Sequence, residues 1–267
     1  MIFKEILNNM LNNNVDKNKI GLLVISCDNY SDLWDPFFQF FYTSWPDCPF
    51  KIHLLTNHLE YQSDYMDLEV IKVGIDKSWS DNLIKGLEYM GKYDYVLLFL
   101  EDMLLNRKVD NNRIYNLFSE FFELDGNFLS LLNEPKPTKP FNTNFGILEK
   151  KALYRSTATA TLWKKSTLIK LLKTGESAWA FEKNGSVRSD IYSNFYSVYK
   201  DEIIWINAVI KNKWTYPAIL ELNKRNIKID SKRDRIGLLS TIYQKLYLFL
   251  RSIILKIIPF KLQRSII

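Results

Sequence analysis

Two carboxylates stand side by side at Glu101-Asp102, directly after the apolar run Tyr95-Val96-Leu97-Leu98-Phe99-Leu100. Adjacent acids suit a site that draws ionisable groups out of water, and they are equally what an ordinary strand shows where it meets solvent. The run itself says where they sit. It is short, apolar without alternation and rich in Leu, Val and Phe, as a strand buried on both faces is, and an α/β sheet keeps its ligand crevice at the C-terminal ends of such strands. Glu101 and Asp102 are therefore expected at the rim of an active site, with a plain exit from the core as the alternative.

The elements that must position the pair follow from the pattern on either side. Residues before Lys19 read as a short helix, and Ile20-Gly21-Leu22-Leu23-Val24-Ile25-Ser26 as a first buried strand that empties into Cys27-Asp28-Asn29-Tyr30. A helix is expected from Asp32 to Phe41, and strands from Phe50 to Thr56 and from Leu68 to Val73. A further helix opens at Trp79-Ser80-Asp81-Asn82-Leu83, with Ser80 placed to cap it, and runs to about Met90. Strands alternating with helices predict a mostly parallel sheet in the first half of the chain. Phe128 to Leu132 adds a strand, Pro135, Pro137 and Pro140 mark a loop, and Thr157 to Trp163 reads as strand. Thr167 to Thr174 is expected as a helix ended by Gly175.

Charge divides the 267 residues into two parts. The formal net charge is +6, yet from Lys224 onward there are 11 basic and 2 acidic residues, against 25 basic and 28 acidic before it. The tail alone makes the protein basic. From about Ile236 to Ile258 its pattern is helical, with Leu238, Leu239, Ile242, Leu246, Phe249, Leu250, Ile253 and Ile257 on one stripe. Lys245, Arg251 and Lys256 interrupt any span, so the segment fits a basic amphipathic helix lying on an anionic membrane surface better than one crossing it. Packing on the body or on a second copy is the alternative. No nucleic-acid module is visible, and no nucleic-acid partner is expected.

Cys27 and Cys48 form neither a metal pair nor a disulfide framework, and the N-terminus lacks the order of a signal peptide. The expected location is cytoplasmic, at the inner face of the membrane. There is no P-loop, no GxGxxG after a strand, no zinc-spaced Cys/His set and no GxSxG, so kinases, dehydrogenases, zinc hydrolases and serine hydrolases lose their usual support.

Four blocks, Ser26-Cys27-Asp28-Asn29-Tyr30, Trp79-Ser80-Asp81-Asn82-Leu83, Leu100-Glu101-Asp102-Met103 and Glu176-Ser177-Ala178-Trp179-Ala180-Phe181-Glu182, occur in that order across most of Ile20 to Trp214. In order and spacing the chain resembles the nucleotide-sugar-dependent glycosyltransferases of the GT-A fold, particularly those of bacterial O-antigen and capsule synthesis. The resemblance implies a Rossmann-like α/β domain, taken over residues 1–223, and the charge and helical pattern set residues 224–267 apart as an amphipathic helical tail. It implies transfer of a sugar from a nucleotide donor, UDP-linked, to a lipid-linked oligosaccharide. A noncatalytic carbohydrate-binding or scaffold protein and a nucleotidyltransferase are the other readings. The second would want a glycine-rich basic loop after the first strand, which is missing.

The same resemblance implies roles. Asp28 and Tyr30 would receive the base and ribose, or else form an ordinary turn. Ser80 and Asp81 would touch the donor. Asp102 would hold the diphosphate through Mg²⁺ or Mn²⁺, cations that prefer oxygen ligands and bridge to phosphate, with Glu101 orienting the donor. Many members carry Asp-x-Asp where this chain has Glu101-Asp102, which leaves metal-independent action open. Glu182 would be the general base of an inverting transfer, its pKa raised by Trp179 and Phe181, an aromatic pair able to form a sugar platform. Asp190 is the reserve base, and Arg188 would pair with phosphate or with a surface carboxylate. His53 and His58 are expected to be structural.

Overall fold

The computed structural model describes residues 15–229 and 233–238 and, beyond them, positions 240, 243, 246, 250, 253, 254, 257, 258, 263 and 264. After a 3-10 turn at Lys17–Lys19 come β1 (Ile20–Ile25), a 3-10 segment at Asp28–Leu33, and α1 (Trp34–Ser44). Next are β2 (Lys51–Thr56), β3 (Glu69–Lys72), α2 (Trp79–Tyr89), β4 (Tyr95–Leu100), β5 (Met103–Leu105) and α3 (Asn111–Glu123). The second half holds β6 (Phe128–Ser130), β7 (Lys139–Pro140), β8 (Phe145–Ile147), β9 (Thr161–Lys164), α4 (Lys165–Leu171) and α5 (Ala178–Arg188). It closes with β10 (Phe195–Val198), β11 (Trp205–Asn207), β12 (Val209–Ile210), β13 (Lys213–Trp214) and α6 (Tyr216–Lys224).

Nine strands form one sheet in the order β3-β2-β1-β4-β9-β6-β10-β8-β7. Only β9 and β8 run against the other strands. The architecture is thus mixed α/β, with a large, mostly parallel central sheet flanked by helices. The apolar runs of β1 and β4 do not alternate because each face of the sheet has its own core. Leu22, Val24, Leu97 and Phe99 pack with Phe37 and Phe41 of α1 and Phe118 of α3, while Leu23, Ile25, Val96 and Leu98 pack with Leu83 and Leu87 of α2 and Phe181 of α5. In α1 the buried Trp34, Phe37, Phe38 and Phe41 recur at helical spacing, which turns one face of that helix onto the sheet.

Several local expectations are corrected. The hydroxyl that caps α2 belongs to Ser78, which accepts the Asp81 N–H at 3.1 Å; Ser80 lies inside the helix and is buried. The fourth helix starts at Lys165 and ends at Leu171, before Gly175. The Pro-rich passage contains the short edge strand β7, and Asn142 ties it to Glu120 of α3 at 2.9 Å.

The boundary expected after residue 223 cuts the last turn of α6. Beyond it the chain still packs on the body: Arg225 lies 3.9 Å over the Phe40 ring and donates to Asn106 at 2.7 Å, and Ile227 is buried. Trp214 and Ile236 N–H groups then bond to the Asp234 and Trp214 carbonyls, each at 2.8 Å, which lays residues 234–236 beside β13 as a strap. In the tail helix, positions 238, 243, 246, 250, 253 and 257 are helical, and their apolar side chains are exposed. Leu239, Ile242 and Phe249 lie outside the described residues. Among the described residues no helix is long and apolar enough to cross a membrane.

Gly21 marks how closely α2 and its C-terminal turn press on β1. A Cβ there would stand 2.8 and 2.9 Å from ring carbons of Tyr93. Gly21→Ala is expected to cost about 1–3 kcal/mol through overpacking. Urea denaturation measures this, and an unchanged midpoint would contradict the close packing.

Candidate active site

Strand order reverses at β1, since β2 and β3 lie on one side of it and β4 on the other. Ile25 pairs with Leu100, so the segment leaving β1 and the carboxylates leaving β4 emerge side by side. This is the switch point at which an open α/β sheet binds its ligand. A cleft of about 310 Å³ opens there, lined by Ser26, Cys27 and Tyr30, by Trp79 and Asn82, by Leu100, Glu101 and Asp102, by Ala178 and Trp179, and by Asp76. Each of the four sequence blocks contributes to it. Hollows of about 690 and 540 Å³ occur beside Lys51 and Asp94, where strands begin, and the switch-point geometry favours the smaller space.

In the acidic pair Glu101 is buried and Asp102 half-buried. Glu101 is 8% exposed, and burial followed by the charge of Asp102 pushes its carboxyl well above the usual range. Burial pushes Asp102 up to about 6. The Asp102 carbonyl accepts the Ala208 N–H at 2.7 Å, and β5 pairs with β11 immediately afterwards, so the turn cannot relax away from the cleft. The Cys27 thiol is pushed up to about 11 by burial, then by Glu101 and Asp76. Among the described residues no Lys or Arg lines the cleft.

Such a site favours a cation. No group of three His, Cys, Asp or Glu that could hold a metal gathers among the described residues. One or two carboxylates completed by phosphate oxygens are nonetheless a donor set that Mg²⁺ accepts, and Glu101 and Asp102 fit it.

The other residues singled out in the sequence divide between the cleft and its supports. Tyr30 lines the cleft, and one face of its ring carries the Arg233 guanidinium at 4.4 Å. Asp28 staples the loops after β1 and β2: its carboxylate accepts N–H groups of Asn57 and His58 at 2.9 Å, and its own N–H donates to Asn57 Oδ1 at 3.0 Å. Ser80 clasps the fourth block, donating its N–H to the Glu176 carbonyl at 3.1 Å and accepting the Glu176 N–H on Oγ at 3.0 Å. Asp81 accepts the Gly175 N–H at 2.8 Å. Arg188 grips the Glu176 carboxylate through two bonds of 2.9 and 2.6 Å, which, with the Asn184 amide, holds that carboxyl below its usual range. Asp28, Ser80, Asp81 and Arg188 thus support the loops that line the cleft and are not lining residues themselves.

Glu182 lies on α5 one turn beyond Ala178, half-buried, and burial pushes its carboxyl up to about 7. Among the described residues its carboxylate accepts the Ala158 N–H at 3.4 Å. The aromatic pair beside it is split, which corrects the expected platform: Phe181 is fully buried against Trp79 and Trp163, and Trp179 is 77% exposed at the cleft rim. Asp190 is tied to the Lys151 N–H at 2.9 Å and to Arg264 at 2.6 Å, away from the cleft.

Sequence reasoning missed three participants. Trp79 Nε1 and Asn82 Oδ1 are buried without a hydrogen-bond partner among the described residues, and both side chains line the cleft. Their spacing of three on a helix was the available signal that they share a face. Asn82 Nδ2 donates to Asp76 at 2.7 Å, which brings in a third acid for which the sequence offered no sign.

No family model matches this chain, and no curated protein matches it in sequence. Among solved structures it is similar to TarS 1–349 of S. aureus, at 9% identity and a TM-score of 0.45 over 67% of this chain and 60% of that one. The match to a longer TarS structure covers 36% of that chain, at 10% identity and a TM-score of 0.41. UTP-bound UGPase from Acinetobacter baumannii overlays at 8% identity and a TM-score of 0.47, over 86% of this chain and 98% of that one. These overlaps say nothing about chemistry.

The raised carboxyl of Asp102 has a definite consequence for stability. An acid whose folded pKa exceeds its unfolded value contributes stability at low pH that is lost as pH rises through the folded value, here about 6. Asp102→Asn is therefore expected to be more stable than the parent at pH 7, with the gap closing by pH 4. Urea denaturation at both pH values checks the sign, and a variant less stable at pH 7 would refute it.

Proposed function

We propose that this chain is a glycosyltransferase that uses a nucleotide-sugar donor and binds its diphosphate at Glu101-Asp102. The observation that carries the reading is the desolvated acidic pair at the switch point, in a cleft whose other walls offer an aromatic ring and hydrogen-bonding groups that lack partners. Asp102, with Glu101 beside it, would hold Mg²⁺ or Mn²⁺. That ion, when bound, supplies positive charge to the diphosphate leaving group.

Tyr30 receives the nucleoside. Trp79 Nε1 donates to, and Asn82 Oδ1 accepts from, the donor's ribose or sugar hydroxyls. The exposed indole of Trp179 offers the incoming acceptor a face at the rim. Glu182, its carboxyl near 7, is partly ionised at neutral pH and serves as general base for an acceptor lying along α5. The acceptor hydroxyl gives its proton to Glu182 as its oxygen bonds to the anomeric carbon. The bond from that carbon to the diphosphate breaks, and nucleoside diphosphate departs.

UDP is the proposed nucleotide, and the proposed acceptor is a lipid-linked oligosaccharide of a bacterial surface polysaccharide. Exposed apolar side chains on the tail helix, within the stretch that holds 11 basic residues, support placing the enzyme on an anionic membrane.

A thermal-shift screen of UDP-, GDP-, dTDP- and CMP-sugars, with and without Mn²⁺, tests the donor. A UDP-sugar is expected to stabilise the protein in the presence of Mn²⁺, and silence from all four would overturn the reading. Glu182→Gln should lower kcat by roughly 10²- to 10⁴-fold while leaving donor binding intact; an unchanged kcat would remove Glu182 from the reaction. Removal of residues 240–267 should abolish sedimentation with phosphatidylglycerol vesicles, and undiminished binding would contradict the membrane role.

A further inference from the structure

No cationic side chain lines the cleft among the described residues, yet one stands at its edge. Arg233 belongs to the segment that continues as the strap beside β13, and its guanidinium is held from two directions. It makes bonds of 2.8 Å to both carboxylate oxygens of Asp32 and donates to the Asn29 carbonyl at 2.8 Å, while its plane lies 4.4 Å from the centroid of the Tyr30 ring. The side chain is only 7% exposed. Its positive field reaches Glu101 and opposes part of the upward push that burial and Asp102 exert on that carboxyl.

A guanidinium so desolvated must remain paired, because an unpaired buried charge is costly, and its fork matches carboxylate and phosphate equally well. Among the described residues Tyr30 belongs both to these contacts of Arg233 and to the cleft lining. Anything that lays a nucleoside against Tyr30 with its diphosphate toward Glu101-Asp102 therefore passes beside Arg233. An anion arriving beside the acidic pair would be drawn by that positive charge, which adds to whatever cation the carboxylates hold.

We propose that Arg233 is a diphosphate-binding residue, released from Asp32 to phosphate oxygens when donor binds, so that the strap senses occupancy of the cleft. The inference rests on the nucleotide-sugar reading and adds to it a residue from the tail, whose charge pattern had pointed to membrane contact. Asp32 acts as a place-holder anion: it keeps Arg233 paired when the cleft is empty and competes with the ligand.

Calorimetric titration of the full chain with UDP, GDP and dTDP in Mg²⁺, and of the nucleoside of whichever binds tightest, tests this. Arg233→Ala should weaken the diphosphate roughly ten- to a hundredfold, as loss of a charged hydrogen bond does, and leave the nucleoside almost unaffected. Asp32→Asn should tighten the diphosphate several-fold, and this gain should vanish in the double variant Asp32→Asn/Arg233→Ala. Arg233→Lys should keep part of the affinity, and it carries the test if the alanine variant does not fold. Equal losses for nucleoside and diphosphate would overturn the proposal, because they would mean that Arg233 only props Tyr30. A gain in Asp32→Asn that survives loss of Arg233 would overturn it too. Failure of all three diphosphates to bind the parent chain would bring down the nucleotide-sugar reading and the inference together. Normal binding unaffected by Arg233→Ala would bring down the inference alone.

Discussion

Two like charges forced together at the mouth of a strand are expensive, and much of the structure around Glu101 and Asp102 can be understood from that cost. β4 is buried on both faces, so the carboxylates emerge still inside the core's low-dielectric surroundings. Left alone they respond by holding protons, which is the meaning of their raised pKa values. The turn could relieve the strain by swinging into solvent. The bond from Ala208 and the β5–β11 pairing prevent it. The fold thus maintains a site that is stabilised by whatever positive charge enters, be it a proton, a divalent ion or a guanidinium. A protein selected only for stability would have no reason to keep this arrangement.

Holding the site open requires segments far apart in sequence to meet at one place, and the means is backbone bonding through polar side chains. Ser80 and Glu176 exchange two hydrogen bonds across nearly a hundred residues, Asp81 adds a third through Gly175, and Arg188 fixes the Glu176 carboxylate from the other side. These contacts fix the start of α5, and with it Ala178 and Trp179, against the cleft. Asp28 does the same for the loops after β1 and β2. Removing any one of these supports would move a wall of the cleft without touching a ligand, so their loss should be felt in geometry before chemistry.

The sequence made the architecture legible where runs were long and strongly patterned. β1, β2, β3, α2 and β4 fall within a residue or two of the pattern, because a strand buried on both faces must be apolar throughout and an amphipathic helix must repeat. The antiparallel β9, which lies between β4 and β6, fixes its direction through pairing alone, and two-residue strands such as β7 and β12 have too little pattern to detect. Helix α3 passed unnoticed although its buried positions Ile114, Leu117, Phe118 and Phe121 recur at helical spacing. At the site, residue type located the blocks but could not separate wall from support. Ser80 and Asp81 carry the chemistry of donor contacts, and the fold spends it on the Glu176 clasp, while Trp79 and Asn82 in the same block face the cleft. Which face of a helix turn points inward is decided by what packs behind it, here Phe181 against Trp79.

The tail shows the same limit and a way past it. Its basic residues read from the sequence as one patch with one purpose, yet three of its described arginines are spent inside the fold: Arg225 on Phe40 and Asn106, and two more on either side of the tail helix. Arg264 bonds to the Ser186 carbonyl near the end of α5 and pairs with Asp190, and Arg233 pairs with Asp32 beside the cleft. Both are forked donors satisfied by several acceptors at once, geometry that a lysine could not reproduce. The exposed apolar positions of the tail helix lie between these two attachments, so a surface that engages the helix would pull on a segment moored at both ends to the α/β body. One mooring is at α5, which carries Glu182, and the other is at the turn that carries Tyr30. Under the proposed function, membrane engagement and donor binding would act on this one segment, and Arg233 and Arg264 are the contacts through which either would reach the other.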